Sequence, residues 1–281
     1  MGTFDTCHRF IVPGGHAVKP ARKAVFRGRP EPAGEVSEIR PFRKLCGPWS
    51  LLGAWCEFGY AADILYMCVL DFYRAPTLKL LPMMRATPES PRMFESDVLD
   101  LFSRTHPMVV PVLFVPTVAA LVWYSVTVAG ISVLATAGLF VLGAVTWTLT
   151  EYWLHRLFFH WQPGGRWGDR LHFLVHGVHH TWPRDKYRLV MPPAVSITLF
   201  FLFLSLFYVT TGERLCWGFH SGFVIGYMTY DLTHYYIHHY NPRSEYGRRL
   251  KKHHMLHHFK DPARRFGVSN MIWDSVFGTQ G

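Results

Sequence analysis

The sequence predicts an all-α integral membrane protein with four transmembrane helices and a histidine-rich cap at one membrane face. Three observations carry this reading. Residues 107–150 contain no charged side chain, and residues 189–212 are again uncharged. Two histidine runs, "RLHFLVHGVHHTW" (170–182) and "KKHHMLHHFK" (251–260), repeat one H-x-x-H-H pattern nearly eighty residues apart. Only 17% of the chain is charged while 49% is apolar, a balance low in charge for a soluble domain.

A spanning helix needs roughly 20 apolar residues, so 107–150 holds two spans, about 108–129 and 131–151, with a turn near Gly130. The third runs over 190–211. The fourth runs over 215–237 and carries Asp231 and His234 in its last part. Spans one and two form a hairpin, as do three and four, so the segments after spans two and four emerge on the same side. Segment 152–190 holds six Lys or Arg residues and the tail from 239 holds eight, against Arg214 alone at the opposite turns. Positive charge marks the cytosolic side, which puts both histidine runs and the C-terminus in the cytosol. The formal net charge of +10 follows from that rule and from attraction to anionic lipid, and no nucleic-acid motif competes for it.

The N-terminal third is less ordered in its signals. Residues 1–47 read as a flexible basic arm rich in Pro, Gly, Arg and Lys. Residues 48–92 read as an interfacial, amphipathic segment, because the apolar stretch 49–73 is interrupted by Glu57, Asp63 and Asp71. No apolar run follows Met1 closely enough for a cleaved signal peptide. Cys7, Cys46, Cys56, Cys68 and Cys216 form no C-x-x-C pair, so neither a disulfide framework nor a thiolate metal site is indicated.

The histidines require a chemical explanation. His176, His179 and His180 are spaced i, i+3, i+4, and His254, His257 and His258 repeat that spacing on one helix face. His234 and His238 lie four apart at the end of span four. His155 and His160 follow span two, but five residues is not one face of a regular helix, which predicts His160 past the helix end. Ten imidazoles exceed what one metal can use, and two metals with about five nitrogens each use them all. The other histidines, His172, His239 and His253 among them, read as ordinary interfacial or buried residues. Glu151 precedes His155 by four residues and Asp231 precedes His234 by three, so each carboxylate is predicted to hold the ring N–H of its histidine from the preceding turn.

The strings "EYWLHRLFFH", "HGVHH", "DKYRLVMPP", "YDLTHYYIHH", "KKHHMLHHF" and "FGVSNMIWDSVFGT" together resemble a fatty acid 2-hydroxylase, a branch of the fatty acid hydroxylase and sterol desaturase superfamily. The resemblance covers about 93–280, so 93–281 is taken as the hydroxylase domain. It implies a cytosolic cap holding a dimetal centre on the same ten histidines, with a Tyr–Asp pair beside the metals falling on Tyr230 and Asp231. It also implies iron as the working metal, with zinc able to occupy the same nitrogens, and O2 as co-substrate. Fungal and animal members carry a fused cytochrome b5 domain with a His-Pro-Gly-Gly motif. Here "IVPGGHAV" has Val12 in the histidine position, so the fused domain is expected to be absent and electrons to come from a separate cytochrome b5 and its reductase. The expected activity is hydroxylation of carbon 2 of a fatty acid, acyl-CoA or ceramide at the endoplasmic reticulum membrane. A sphingoid-base or sterol oxidase of the same superfamily, or a non-enzymatic metal transporter, are the competing readings.

Overall fold

The computed structural model describes residues 86–281, which form helices and connecting turns, with no strand among the described residues. The basic arm over 1–47 and all but the end of the interfacial segment over 48–92 lie outside the described residues. The first short helix, α1 (Asp97–Phe102), starts at Ser96, whose hydroxyl accepts the Leu99 amide. Helix α2 (Val109–Thr127) is followed by α3 (Val133–Trp153), which passes into a π-wound turn, Leu154–Phe159. The turn between them needs Gly130 at φ +65°, a conformation that costs other residues a Cβ clash. Next come α4 (Gly165–His172), a second π-wound turn (Phe173–Gly177) and α5 (Val178–Thr181). Helix α6 (Pro193–Thr211) begins on a proline, whose missing N–H costs nothing at a helix start. Gly212 at φ +81° turns the chain into α7 (Glu213–His239). Two further helices, α8 (Glu245–Phe259) and α9 (Ile272–Val276), complete the chain.

Among the described residues, three helices are long and apolar enough to cross a membrane: Val109–Thr127, Val133–Phe159 and Pro193–Thr211. Helix α7 has the length but not the apolarity, and the packing explains why. It lies against α2, α3 and α6 and buries most of its surface, from Cys216 to Ile237. A helix sheathed by three neighbours need not be apolar on every face, because its polar groups meet protein and not lipid. Its core partners are aromatic: Trp147 packs edge-on against Phe223 (5.0 Å) and Tyr227 (5.4 Å), and Phe114 packs edge-on against Tyr227 at 5.3 Å.

Small residues set how closely α3 and α7 approach. Gly218, Gly222 and Gly226 recur every four residues along α7, and Gly143 faces them from α3. A Cβ on Gly222 would stand 1.8 Å from the Phe140 carbonyl oxygen, and one on Gly143 would stand 2.0 Å from the Phe219 oxygen. This stripe of small residues is the device by which helix backbones pack in lipid, where dispersion contact replaces the hydrophobic drive.

Candidate metal centre

Four segments deliver histidines to one region. Their ring nitrogens sort into two groups, each with all its ligand atoms within 4.8 Å of one another. One holds His155, His160, His176, His180 and His257; the other holds His179, His234, His238, His254 and His258. Each H-x-x-H-H run therefore serves both groups. In α8, at about 100° per residue, His257 points about 60° to one side of His254 and His258 about 40° to the other. Side chains on the two edges of that stripe reach different centres: His254 and His258 one, His257 the other.

The five-residue spacing of His155 and His160 is resolved by the π turn. Residues 154–159 are wound with i→i+5 bonding, so residues five apart come round to one side. The two rings lie 5.1 Å apart, tilted by 32°. His160 caps this turn, as predicted from the helix end, but it stays on the face of His155 because the last turn is wider than an α turn.

Within each group the nitrogens converge. Nε2–Nε2 separations are 3.2 Å for His155–His176, 3.0 Å for His176–His180 and 3.1 Å for His160–His257 in the first group. They are 3.0 Å for His234–His254, 2.9 Å for His238–His254 and 3.1 Å for His254–His258 in the second. Nitrogens bound to one metal at roughly 2.1 Å each stand about 3 Å apart, so these separations fit donors that would converge on an ion. Both ring nitrogens of His179 are buried without a protein partner, and a metal would satisfy one of them. Burial pushes the His160 and His180 pKa values down to about 3 and that of His257 down to about 4, and neighbouring imidazoles add to the effect for the first two. The rings are thus neutral near pH 7, with lone pairs free for a metal.

The C-terminal segment orients the first group. His155 donates its Nδ1–H to the Phe266 carbonyl and His257 to the Arg264 carbonyl, both at 2.6 Å. These bonds fix the tautomer and leave Nε2 toward the centre. In the second group, the Pro183 carbonyl accepts from His238.

Two carboxylates stand elsewhere than their sequence spacing predicts. Glu151 does not hold His155; it accepts the amides of Val268 and Ser269, each at 2.7 Å, and the Ser269 hydroxyl. The loop that folds over the end of α3 satisfies both groups at once, giving N–H donors to the acid and a carbonyl to the imidazole. Asp231 likewise accepts the Met191 amide (3.2 Å) and the Tyr227 hydroxyl (3.1 Å) rather than holding His234. An acid absent from the sequence reading, Asp274, completes the frame. It takes the Phe266 and Gly267 amides, the Thr279 hydroxyl and His253 Nε2 at 2.9 Å. His253 thereby ties α8 to the segment that orients His155 and His257. The only sequence signal for Asp274 was its place inside the "FGVSNMIWDSVFGT" string.

A cavity of about 550 Å³ reaches the histidines. His176, His179 and His234 form part of its wall beside Tyr230 and Asp231, and most of the remainder is apolar. Tyr230 is buried, with its ring 5.8 Å from that of His234.

Residues 140–279 match the fatty acid hydroxylase family model. Over 194 residues the chain is 38% identical to a dihydroceramide fatty acyl 2-hydroxylase of Arabidopsis thaliana, covering 69% of this chain and 81% of the relative. The chain belongs to the fatty acid hydroxylase family. It is therefore an oxidoreductase, a monooxygenase. This hydroxylase is also 38% identical to the ceramide very long chain fatty acid hydroxylase of Schizosaccharomyces pombe, over 65% of this chain and 53% of that protein. A solved structure of full-length scs7p, with only its hydroxylase domain visible, superposes with a TM-score of 0.63 at 37% identity. It covers 68% of this hydroxylase and 71% of the solved chain.

The Asp231 contacts yield a prediction. Asp231→Asn keeps all ten histidines but exchanges an acceptor oxygen for an amide donor facing Met191 N–H or Tyr227 O–H. The variant is expected to retain its metals, measured by elemental analysis, while hydroxylation falls by about tenfold or more, the cost of a lost bond to a charged group. Loss of one metal at saturating iron would make Asp231 a ligand, and unchanged activity would leave it a mere helix residue.

Proposed function

We propose that this hydroxylase places a hydroxyl group on carbon 2 of a fatty acyl chain carried in amide linkage, as in ceramide. The observation that supports it most is the continuous wall from His176, His179 and His234 into an apolar cavity, which suits an alkyl chain with its head-group end at the metals. Two irons held by the ten histidines would supply the redox chemistry needed to activate O2 for an unactivated C–H bond; zinc would fit the nitrogens but lacks that chemistry. The balance is one O2, two electrons and two protons per hydroxyl formed and water released. A separate cytochrome b5, recharged by its reductase, is the proposed electron source.

The protein's own groups bind and orient. The Phe266, Arg264 and Pro183 carbonyls hold His155, His257 and His238 by their ring N–H groups. Tyr230 stands in the cavity wall beside His234, and Trp147 packs behind it at 5.8 Å and helps exclude water. An uncharged acyl linkage is favoured by Arg188, the one Lys or Arg among the described residues lining the cavity. Its guanidinium is already engaged by Asp100, Asp185, Ser103 and the Pro91 carbonyl, so a free carboxylate finds no open cation there.

Reconstitution with cytochrome b5, its reductase, iron and candidate substrates tests this reading, with the product position read by mass spectrometry. The expected product is a 2-hydroxy acyl chain, formed faster from ceramide than from the free acid. A hydroxyl on the long-chain base or on a sterol would refute it.

The membrane arrangement is part of the proposal. Helix α7 serves as the fourth span, and both histidine-bearing regions face the cytosol from the endoplasmic reticulum. The support is the fourteen Lys and Arg residues on the histidine side against Arg214 on the other. A glycosylation acceptor inserted at Gly212 is expected to be modified in the lumen, and one appended after Gly281 is not. The reverse pattern would overturn the orientation.

A further inference from the structure

A buried cluster of four charges stands apart from the histidines. Arg188 Nη2 contacts Asp100 at 2.8 Å and Nη1 contacts Asp185 at 3.1 Å, while Arg104 Nε reaches the second Asp100 oxygen at 3.2 Å. All four residues are buried. Arg188 also donates to the Pro91 carbonyl (2.6 Å) and the Ser103 hydroxyl (3.2 Å), and Asp100 accepts the Met93 amide at 2.7 Å. Nearby, the Thr105 amide donates to the Tyr187 carbonyl at 2.6 Å. The cluster thus joins the segment before the first span to the loop before α6. Burial alone would push the Asp100 carboxyl upward, but the Met93 amide, Arg188 and Arg104 hold it below the usual carboxylate range.

Such a cluster does little for net stability, because taking four charges out of water offsets their attraction. What it provides is a fixed position. Helix α1 has six residues, too few to hold its shape alone, and it leaves Leu99 55% and Phe102 70% exposed. Met93, Phe94, Leu99, Phe102 and Ser103 nonetheless form one side of the cavity whose other end is the histidine wall.

We propose that the Asp100–Arg188 pair clamps residues 93–103 over the cavity as its roof, and that Phe94, Leu99 and Phe102 grip the acyl chain there. This rests on the reading of the cavity as the acyl site. The occupant is a lipid chain because the same cavity is continuous with the histidines and, of the roof residues facing it, all but Ser103 are apolar. Asp100 and Arg188 act as positioning residues: they place the roof and leave the metals alone.

The test uses the full chain in lipid nanodiscs with its electron donors, reading KM, kcat and metal content for one acyl substrate. Phe102→Ala removes an exposed ring, so the fold does not depend on it. Its KM is expected to rise several-fold, up to about tenfold, with kcat and metal content retained, as loss of apolar contact with a bound chain requires. Asp100→Asn is expected to raise KM at least as much by freeing the roof, with Asp100→Glu recovering part of it. An unchanged KM in Phe102→Ala overturns the proposal, whether or not the Asp100 variant folds. So does an Asp100→Asn protein whose kcat and metal content fall together at unchanged KM, since the cluster would then serve the fold alone. Product position in the wild type is read in the same assay. A hydroxyl away from carbon 2 would refute the carbon-2 reading and leave the KM comparison to judge the roof.

Discussion

Replacing His179 or His257 with alanine is expected to abolish hydroxylation and to lower bound metal from two ions per chain to about one. The two residues belong to different groups, so each deletion empties a different centre. His179 is the sharper case, since both of its ring nitrogens are buried without a protein partner. His257 is oriented by the Arg264 carbonyl, so its alanine variant also strands that acceptor. The loss in activity should exceed the roughly 10–100-fold that outer hydrogen-bond partners of a metal site cost. His239→Ala, outside both groups, is the control and should keep both ions. Elemental analysis of purified protein after iron loading checks the assignment; equal metal in wild type and His179→Ala would sink it.

The second large effect lies far from the metals. Gly222→Leu is expected to prevent folding, and Gly222→Ala to lower the thermal midpoint in detergent substantially. The obstacle is backbone: a Cβ at 222 meets the Phe140 carbonyl oxygen at 1.8 Å, its carbon at 2.5 Å and its Cα at 2.7 Å. Neither helix can yield by turning a side chain, so α3 and α7 must separate. Overpacking of this kind costs about 1–3 kcal/mol and more where backbone must move. Separation would also pull apart His155 and His234, which ride on the ends of these two helices. Gly138→Ala, on α3 but with nothing within 4 Å of its Cβ position, should be near neutral. Equal midpoints for Gly138→Ala and Gly222→Ala would show that the stripe does not set the helix spacing.

Much of the site was legible in the chain itself. Histidines three and four apart share a helix face by backbone geometry alone, so membership in a cluster could be read without knowing the fold. The uncharged runs marked three helices of spanning length for an equally local reason. Helix α7, the expected fourth span, was marked more weakly, because its polar groups are covered by neighbours that composition does not reveal.

Residue spacing alone marks which histidines converge. How the ten imidazoles divide is set by the packing, since the split of His254 and His258 from His257 depends on where the two groups stand relative to the α8 stripe. The tertiary structure also decided that His155 and His160 share a face, because a π turn is a departure from regular winding that spacing rules presume absent. Glu151 and Asp231 hold other partners than the histidines one turn on, for one physical reason. A carboxylate takes the donors that approach it most closely: for Glu151 these come from residues more than a hundred positions away, and for Asp231 from the Tyr227 hydroxyl one turn before it and the Met191 amide forty positions away. Local spacing describes what a helix offers to its own next turn; it is blind to a loop that folds back with backbone N–H groups in need of an acceptor.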